Sequence, residues 1–423
     1  MNNHQQSLPG PDDITRVTLP NGIIILVRTN FNSPSVVISG HLSCGSLFDT
    51  DDKIGLADYT AFGLMRGTAT RTFQQIFDAL ESAGASLSFG AGAHNTGFSG
   101  RSLSEDLPLM LDLLADVLRH PVFPPEEIER LRSQFLTSLA QRAQDTADMA
   151  SITFDQIVFD GHPYGRPDDG WPETIRSIQR DDLADFHQRC YGPKGMVIAL
   201  VGAIDPKTAV EEVDEALGDW ANHEQRELPA LPPLKPLKKT ITRKVKIPGK
   251  FQADLVIGTS GPRRKDPEYI ADALGNSALG QFGLGGRIGD VVREKSGLAY
   301  YASSTLNAGL GPGSWCISAG VNPANVQKAR ELICREIALF VEKGITPEEL
   351  ADSQSNFIGR LPLSLESNSG VTNALLNIER YDLGLDYYRR YPDLVRAVTV
   401  EEVLTAVRKF LDPDRMAVAI AGP

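Results

Sequence analysis

The sequence predicts an α+β protein of two duplicated domains, each a mainly antiparallel sheet covered by helices mostly on one face. Three observations predict it. Residues 177–203, "SIQRDDLADFHQRCYGPKGMVIALVGA", lie over residues 397–423, "AVTVEEVLTAVRKFLDPDRMAVAIAGP", at a constant offset of 220 without a gap. Residues 226–239, "RELPALPPLKPLKK", contain four prolines and no helical or strand periodicity, the composition of an extended connection. Strand-like and helix-like segments come in runs instead of in regular alternation, which favours a helix-covered sheet over a parallel one.

These observations divide the chain into a first domain at 12–225, a linker at 226–239 and a second domain at 240–423. The first domain opens with "NGIIILV" (21–27) and "SVVISG" (35–40), β-branched runs bounded by turn formers. Its first clear helix, "TFQQIFDALESAG" (72–84), has a Thr72–Gln75 capping box, apolar residues at Phe73, Ile76, Phe77 and Leu80, and Gly84 as its C-cap. "PPEEIERLR" (124–132) resembles "TPEELADSQ" (346–354), each opening a helix after a long helical pattern. Within the repeat, Pro193 falls on Pro413, Met196 on Met416 and Gly202 on Gly422. Each half therefore ends with an amphipathic helix, a proline turn and a buried strand.

Composition excludes several function classes. Hydrophobic residues make up 41% and charged residues 23%, enough apolar material for a globular core without staples. A net charge of -12 repels a phosphate backbone, so nucleic acid is not an expected partner. Cys44, Cys190, Cys316 and Cys334 form no C-x-x-C pair, which argues against a disulfide framework or a thiolate zinc site. The first residues lack a secretory pattern and no run is long and apolar enough for a membrane span, so the expected location is cytoplasmic.

The segments "GSLFDTDDKIGLADYTAFGLMRGT" (45–68), "HPYGRPDDG" (162–170) and "VVREKSGLAYYASS" (291–304) resemble the pitrilysin/insulinase family of zinc peptidases, which includes the mitochondrial processing peptidase. The resemblance runs through both halves and implies the metallohydrolase fold of that family. Active members carry H-x-x-E-H on a helix, where histidines four apart bind zinc and the glutamate activates water. The matching positions here are Asp58, Tyr59, Thr60, Ala61 and Phe62. The family's remaining ligand, a downstream glutamate, should match residues 130–144, which contain no carboxylate. Asp58 alone cannot replace three ligands and reads as a solvated or ion-paired helix residue.

Other candidates read as packing. No two of the seven histidines have the helical metal spacing of four residues. His162 is expected to be a hydrogen-bonded loop residue. His187 and Cys190 suggest a nucleophile pair, but their repeat counterparts are Val407 and Phe410, so they read as a packing face. The glycines at 280, 283, 285, 286 and 289 do not give G-x-G-x-x-G, and no P-loop lysine accompanies them. Their run resembles, in placement, the glycine-rich loop on the processing-peptidase subunit that lacks the zinc motif.

One signature survives. Arg293 and Tyr300 stand seven apart in "REKSGLAY", and the resemblance implies that they hydrogen-bond substrate backbone in a cleft formed with a zinc-bearing domain. The resemblance thus implies a non-catalytic subunit that binds no cofactor itself and supplies this pair to a homologous H-x-x-E-H partner, which holds zinc and cleaves peptides. The alternative is a structural or peptide-binding protein of the same family without proteolysis.

Overall fold

A computed structural model describes residues 8–281 and 285–423. The first sheet consists of β1 (Thr15–Thr18), β2 (Ile24–Thr29), β3 (Ser35–Leu42), β4 (Ser86–Ala91), β5 (Thr96–Leu103) and β6 (Val197–Gly202), in the order β1-β2-β6-β3-β5-β4. The second consists of β7 (Ile241–Lys246), β8 (Ala253–Gly261), β9 (Ala299–Asn307), β10 (Gly313–Val321) and β11 (Ala417–Gly422), in the order β7-β11-β8-β10-β9. Apart from β1 the orders are the same. Each sheet has one parallel pair, β2 with β6 and β7 with β11, and is otherwise antiparallel.

The duplication holds to the residue. Helix Arg180–Cys190 and strand β6 fall, at the offset of 220, on helix Val400–Phe410 and strand β11. The Thr72–Gln75 capping box forms on helix Phe73–Ser82, with Ala83 at the C-cap. Gly84 follows one residue later at φ 58°, the left-handed conformation that a side chain disfavours. The "PPEEI" and "TPEEL" segments open helices Pro125–Arg142 and Pro347–Ser364, each after a long helix, Leu107–Arg119 and Val326–Lys343.

Every residue of β6 and of β11 is buried, because both faces of these strands are covered. On the first sheet, Ile198 and Leu200 join the core under helices Leu107–Arg119 and Arg180–Cys190. Val197, Ala199 and Val201 point the other way, onto Val371, Leu375 and Ile378 of helix Asn368–Arg380. On the second sheet, Val418 and Ile420 join the core with Phe340 and Val407, while Ala417, Ala419 and Ala421 meet Phe154 and Ile157 of helix Thr146–Val158.

The compact units are therefore not continuous in sequence. One takes the chain up to Leu139 with Pro167–Ala230 and Leu361–Arg390; the other takes Ala140–Arg166, Leu231–Arg360 and Tyr391–Pro423. Each sheet receives the helix on its second face from the opposite half of the chain. Phe154→Ala should thus cost about 3–5 kcal/mol through a cavity beneath the second sheet. Denaturant unfolding reads the loss, and hydrogen exchange should rise in β8 and β11 instead of in β2 and β6.

Candidate functional site

The helix at the metal-motif position is Leu56–Gly63. It starts at Gly55, whose φ of 96° favours glycine, and the buried Asp49 carboxylate accepts from the Gly55 and Ala57 amides at 2.9 and 3.0 Å. Leu56, Ala57, Tyr59, Thr60 and Ala61 are buried against the sheet and helix Arg180–Cys190. The Tyr59 hydroxyl donates to the Ile128 carbonyl at 2.6 Å, and Thr60 donates back to Leu56 at 2.8 Å.

An aromatic contact stands at the second motif histidine position, where Phe62 remains 43% exposed. Phe135, from helix Pro125–Arg142, lies 5.2 Å from the Tyr59 ring and 5.6 Å, edge-on, from the Phe62 ring. The Arg132 guanidinium stacks on Tyr59 at 5.6 Å. Phe62 and Ala61 offer no lone pair, so Asp58 is the one ionisable group at the three motif positions. This donor set does not fit zinc, which takes three or four N, S or O ligands. Among the described residues, no group of three His, Cys, Asp or Glu is placed to hold a metal.

The structure corrects the reading of Asp58 as solvated or ion-paired. Its carboxylate is largely buried and accepts from the Ala91 amide at 3.0 Å, at the end of β4. Burial, together with the Asp168 and Asp169 charges, pushes its pKa up to about 7, against the lowering effect of that amide. A matching carboxyl occurs in the second unit. Helix Tyr269–Asn276 packs on Val400–Phe410 as Leu56–Gly63 packs on Arg180–Cys190, and "IAD" (270–272) repeats "LAD" (56–58). Asp272 is fully buried with both oxygens unbonded among the described residues, and burial pushes it to about 7.

The remaining first-half candidates pack. His162 accepts from the Tyr164 amide at 3.2 Å and caps a short turn, and burial lowers its pKa. His187 contacts the Leu118 carbonyl at 2.8 Å through Nε2 and is likewise lowered by burial. The Cys190 thiol, 3% exposed, is pushed up to about 11 by burial, which removes the thiolate a nucleophile needs.

The surviving motif sits in unusual backbone. Residues Asp290–Glu294 form a π-helical turn, a rare conformation found frequently at functional sites, and Ser277–Gln281 is kinked at Gly280, whose φ of 158° and ψ of 27° are not helical. A Cβ on Gly286 would lie 2.3 Å from the Gly280 Cα, so that position does not accommodate a side chain without movement. Gly283, from the glycine-rich run, lies outside the described residues. Arg287 then anchors the turn. It forms a bidentate pair with Glu349 at 2.6 and 2.7 Å, donates to the Gly344 carbonyl at 2.9 Å and stacks on Phe340 at 4.9 Å.

Arg293 lies one residue before the end of the π turn, exposed and 3.9 Å from the exposed Glu294. Buried Val292 and Leu298 pin the segment to the core, and Gly297, at φ 60°, turns the chain into the edge strand β9. Tyr300 is not packed within the strand: it is 65% exposed. Pairing runs from Gly320–Tyr301 to Val321–Ala299, which leaves Tyr300 as the extra residue of a β-bulge. Tyr301 holds that bulge. Its ring lies where a Cβ on Gly320 would be, and its hydroxyl donates to buried Asp254 at 2.6 Å. Asp254 also accepts from Thr146 and, at 3.0 Å, from Gln252.

Sequence reasoning located Arg293 and Tyr300 but missed Phe135, Arg287, Tyr301 and Asp254. The paired "YY" in a strand was one available signal, because alternate residues face opposite sides and only one of the two can project.

Residues 25–167 match the model of the insulinase family, peptidase family M16, and residues 177–357 match that of the peptidase M16 inactive domain. The chain belongs to the insulinase family of peptidases. It is 27% identical to an uncharacterized zinc protease of Streptomyces coelicolor, over 98% of this chain and 90% of that protein. A probable mitochondrial-processing peptidase subunit beta of Arabidopsis thaliana is 28% identical over 50% of this chain and 39% of its own length. Among solved structures, a peptidase M16 inactive domain from Pseudomonas fluorescens superimposes with a TM-score of 0.89 at 27% identity, covering 97% of this chain and 98% of that one.

Two expectations follow for this member of the family. Asp58 and Asp272 hold protons in the native state that the unfolded chain releases between about pH 4 and 7, so stability falls as pH rises through that window. Denaturant midpoints at pH 5 and pH 8 should show the fall, and Asp272→Asn should remove a part on the order of 3 kcal/mol. Tyr301→Phe leaves Asp254 short of a donor and should destabilise by about 1–3 kcal/mol, with faster hydrogen exchange at the Tyr300 bulge.

Proposed function

We propose that this chain is the non-catalytic subunit of a two-chain zinc peptidase of the insulinase family. In this reading a homologous H-x-x-E-H subunit holds the zinc, both chains work in the cytoplasm, and Arg293 and Tyr300 act on the partner's substrate. One observation carries the reading: a phenylalanine in contact with Phe135 stands at the second motif histidine position, while Tyr300 projects from a bulged edge strand and Arg293 is exposed seven residues before it. A tyrosine without a packing role, held outward by its neighbour, is available to a ligand. The Arabidopsis relative is named as a subunit, which supports an assembly of more than one chain.

The chemistry suits the pair. Peptide hydrolysis develops negative charge on the carbonyl oxygen, which a guanidinium and a phenolic O–H stabilise more than they stabilise the neutral amide. An edge strand offers free backbone groups to an extended peptide, which would bring a substrate carbonyl past Tyr300.

The test is to purify the chain alone and together with a homologous H-x-x-E-H protein, then follow cleavage of an unstructured peptide. The mixture should be active and the lone chain inactive. Arg293→Ala and Tyr300→Phe should each lower kcat/KM by about 10²–10³ without altering co-elution of the subunits. Unchanged rates would leave the pair without a role. Failure of the chain to associate with any such partner would favour a binding protein without proteolysis.

A further inference from the structure

The first unit contains a second polar feature, remote in sequence from the Arg293–Tyr300 motif. Helix Asn368–Arg380 covers β3 and β6 but leaves the face of β5 and β4 open beside it. The result is a cavity of about 680 Å3, within the usual size of ligand sites. Its floor carries the hydroxyls of Ser39, Ser88 and Ser99, and Gly90 and Gly97 add no side chain. Its wall carries Asn373, Asn377 and Arg380, spaced four and three residues apart along one stripe of the helix.

By strand register, the first-sheet counterpart of Tyr301 is Ser86. On the second sheet the tyrosine lies across the sheet face, over Gly320, and reaches Asp254; on the first, a serine stands at that position, opposite Arg101.

The charge of the cavity is opposite to that of the protein. The chain carries a net charge of -12, yet no carboxylate lines this cavity. The neighbouring Glu379 is held by Arg16 in a bidentate pair at 2.8 and 2.9 Å, so it does not neutralise Arg380. Arg380 is half-buried and has no hydrogen-bond or ion-pair partner among the described residues. By contrast, the cavity between helices Leu107–Arg119 and Pro206–Leu217 sets Asp112, Asp116, Glu212 and Glu215 against its arginines. His41 adds no second charge, because burial and then the Arg380 guanidinium lower its pKa to about 4.

We propose that this cavity binds the terminal carboxylate of a short peptide, with Arg380 pairing the carboxylate and Asn373 and Asn377 meeting the peptide groups that precede it. One planar guanidinium matches one carboxylate, whereas a phosphate dianion would call for a second cation. A side-chain amide offers both a donor and an acceptor, the same complement as a peptide group. The proposal stands apart from the peptidase reading and concerns the lone chain.

Saturation-transfer NMR titrations of the full chain with N-acetyl-tetra-alanine, its C-terminal amide, succinate and inorganic phosphate test it. The free acid should bind at least about tenfold more tightly than the amide, and Arg380→Gln should lose about tenfold while Arg380→Lys loses less. Asn377→Asp, at an exposed position, should weaken binding in the same direction and serves if Arg380→Gln melts below wild type. Equal affinity for acid and amide, or wild-type binding by these variants, would overturn the carboxylate assignment. Succinate or phosphate binding as tightly as the peptide would overturn the peptide terminus as its source. Because binding to the lone chain is read, neither outcome depends on whether Arg293 and Tyr300 serve a zinc partner.

Discussion

Each sheet is completed by the last strand of its half. β6 inserts between β2 and β3, and β11 between β7 and β8, parallel to one neighbour and antiparallel to the other. A strand in that position has both faces covered and carries only apolar or small residues, as "VIALVG" and "AVAIAG" do. The remaining architecture depends on it. The helix leading into each strand supplies the wall on which the first helix of the unit packs, and the opposite face needs one further apolar helix. That need is met from the other half of the chain in both units, which is why the compact units interleave along the sequence.

The duplicated plan was legible because it is local. The offset of 220 aligned helix with helix and strand with strand, and the capping box at Thr72 is set by residues three apart. The loss of H-x-x-E-H was likewise a matter of residue types at fixed spacing. What occupies that place was not legible, since Phe135 meets Tyr59 and Phe62 across more than seventy residues of chain. Asp58 was misjudged for the same reason: burial beneath the end of β4, and not its place on a helix, sets its protonation. The exchange of helices Thr146–Val158 and Asn368–Arg380 leaves no periodicity signal, because an amphipathic helix looks the same whichever sheet it covers.

The two motif regions differ in how they are built. At the first helix, aromatic contacts and a mostly buried carboxyl stabilise the packing where ligands would leave an open, hydrated site. At the second motif, a kink at Gly280, a close approach of Gly286 to it, one π turn and a bulge shape the backbone. The Asp254 network and the Arg287–Glu349 pair explain how such backbone is held while Tyr300 and Arg293 remain exposed. The sheets also differ on the other face, where Ser86 stands in one at the register position that Tyr301 holds in the other.

The central claim is that Asp58, Ala61 and Phe62 on the first helix leave too few donors to hold zinc. Zinc stoichiometry tests it most directly: the purified chain is equilibrated with micromolar zinc at pH 7.5, passed through a desalting column and its metal content measured by plasma mass spectrometry. The account expects fewer than about 0.1 zinc per chain, against one for a site with three protein ligands. One zinc per chain, lost on Asp58→Asn, would contradict it.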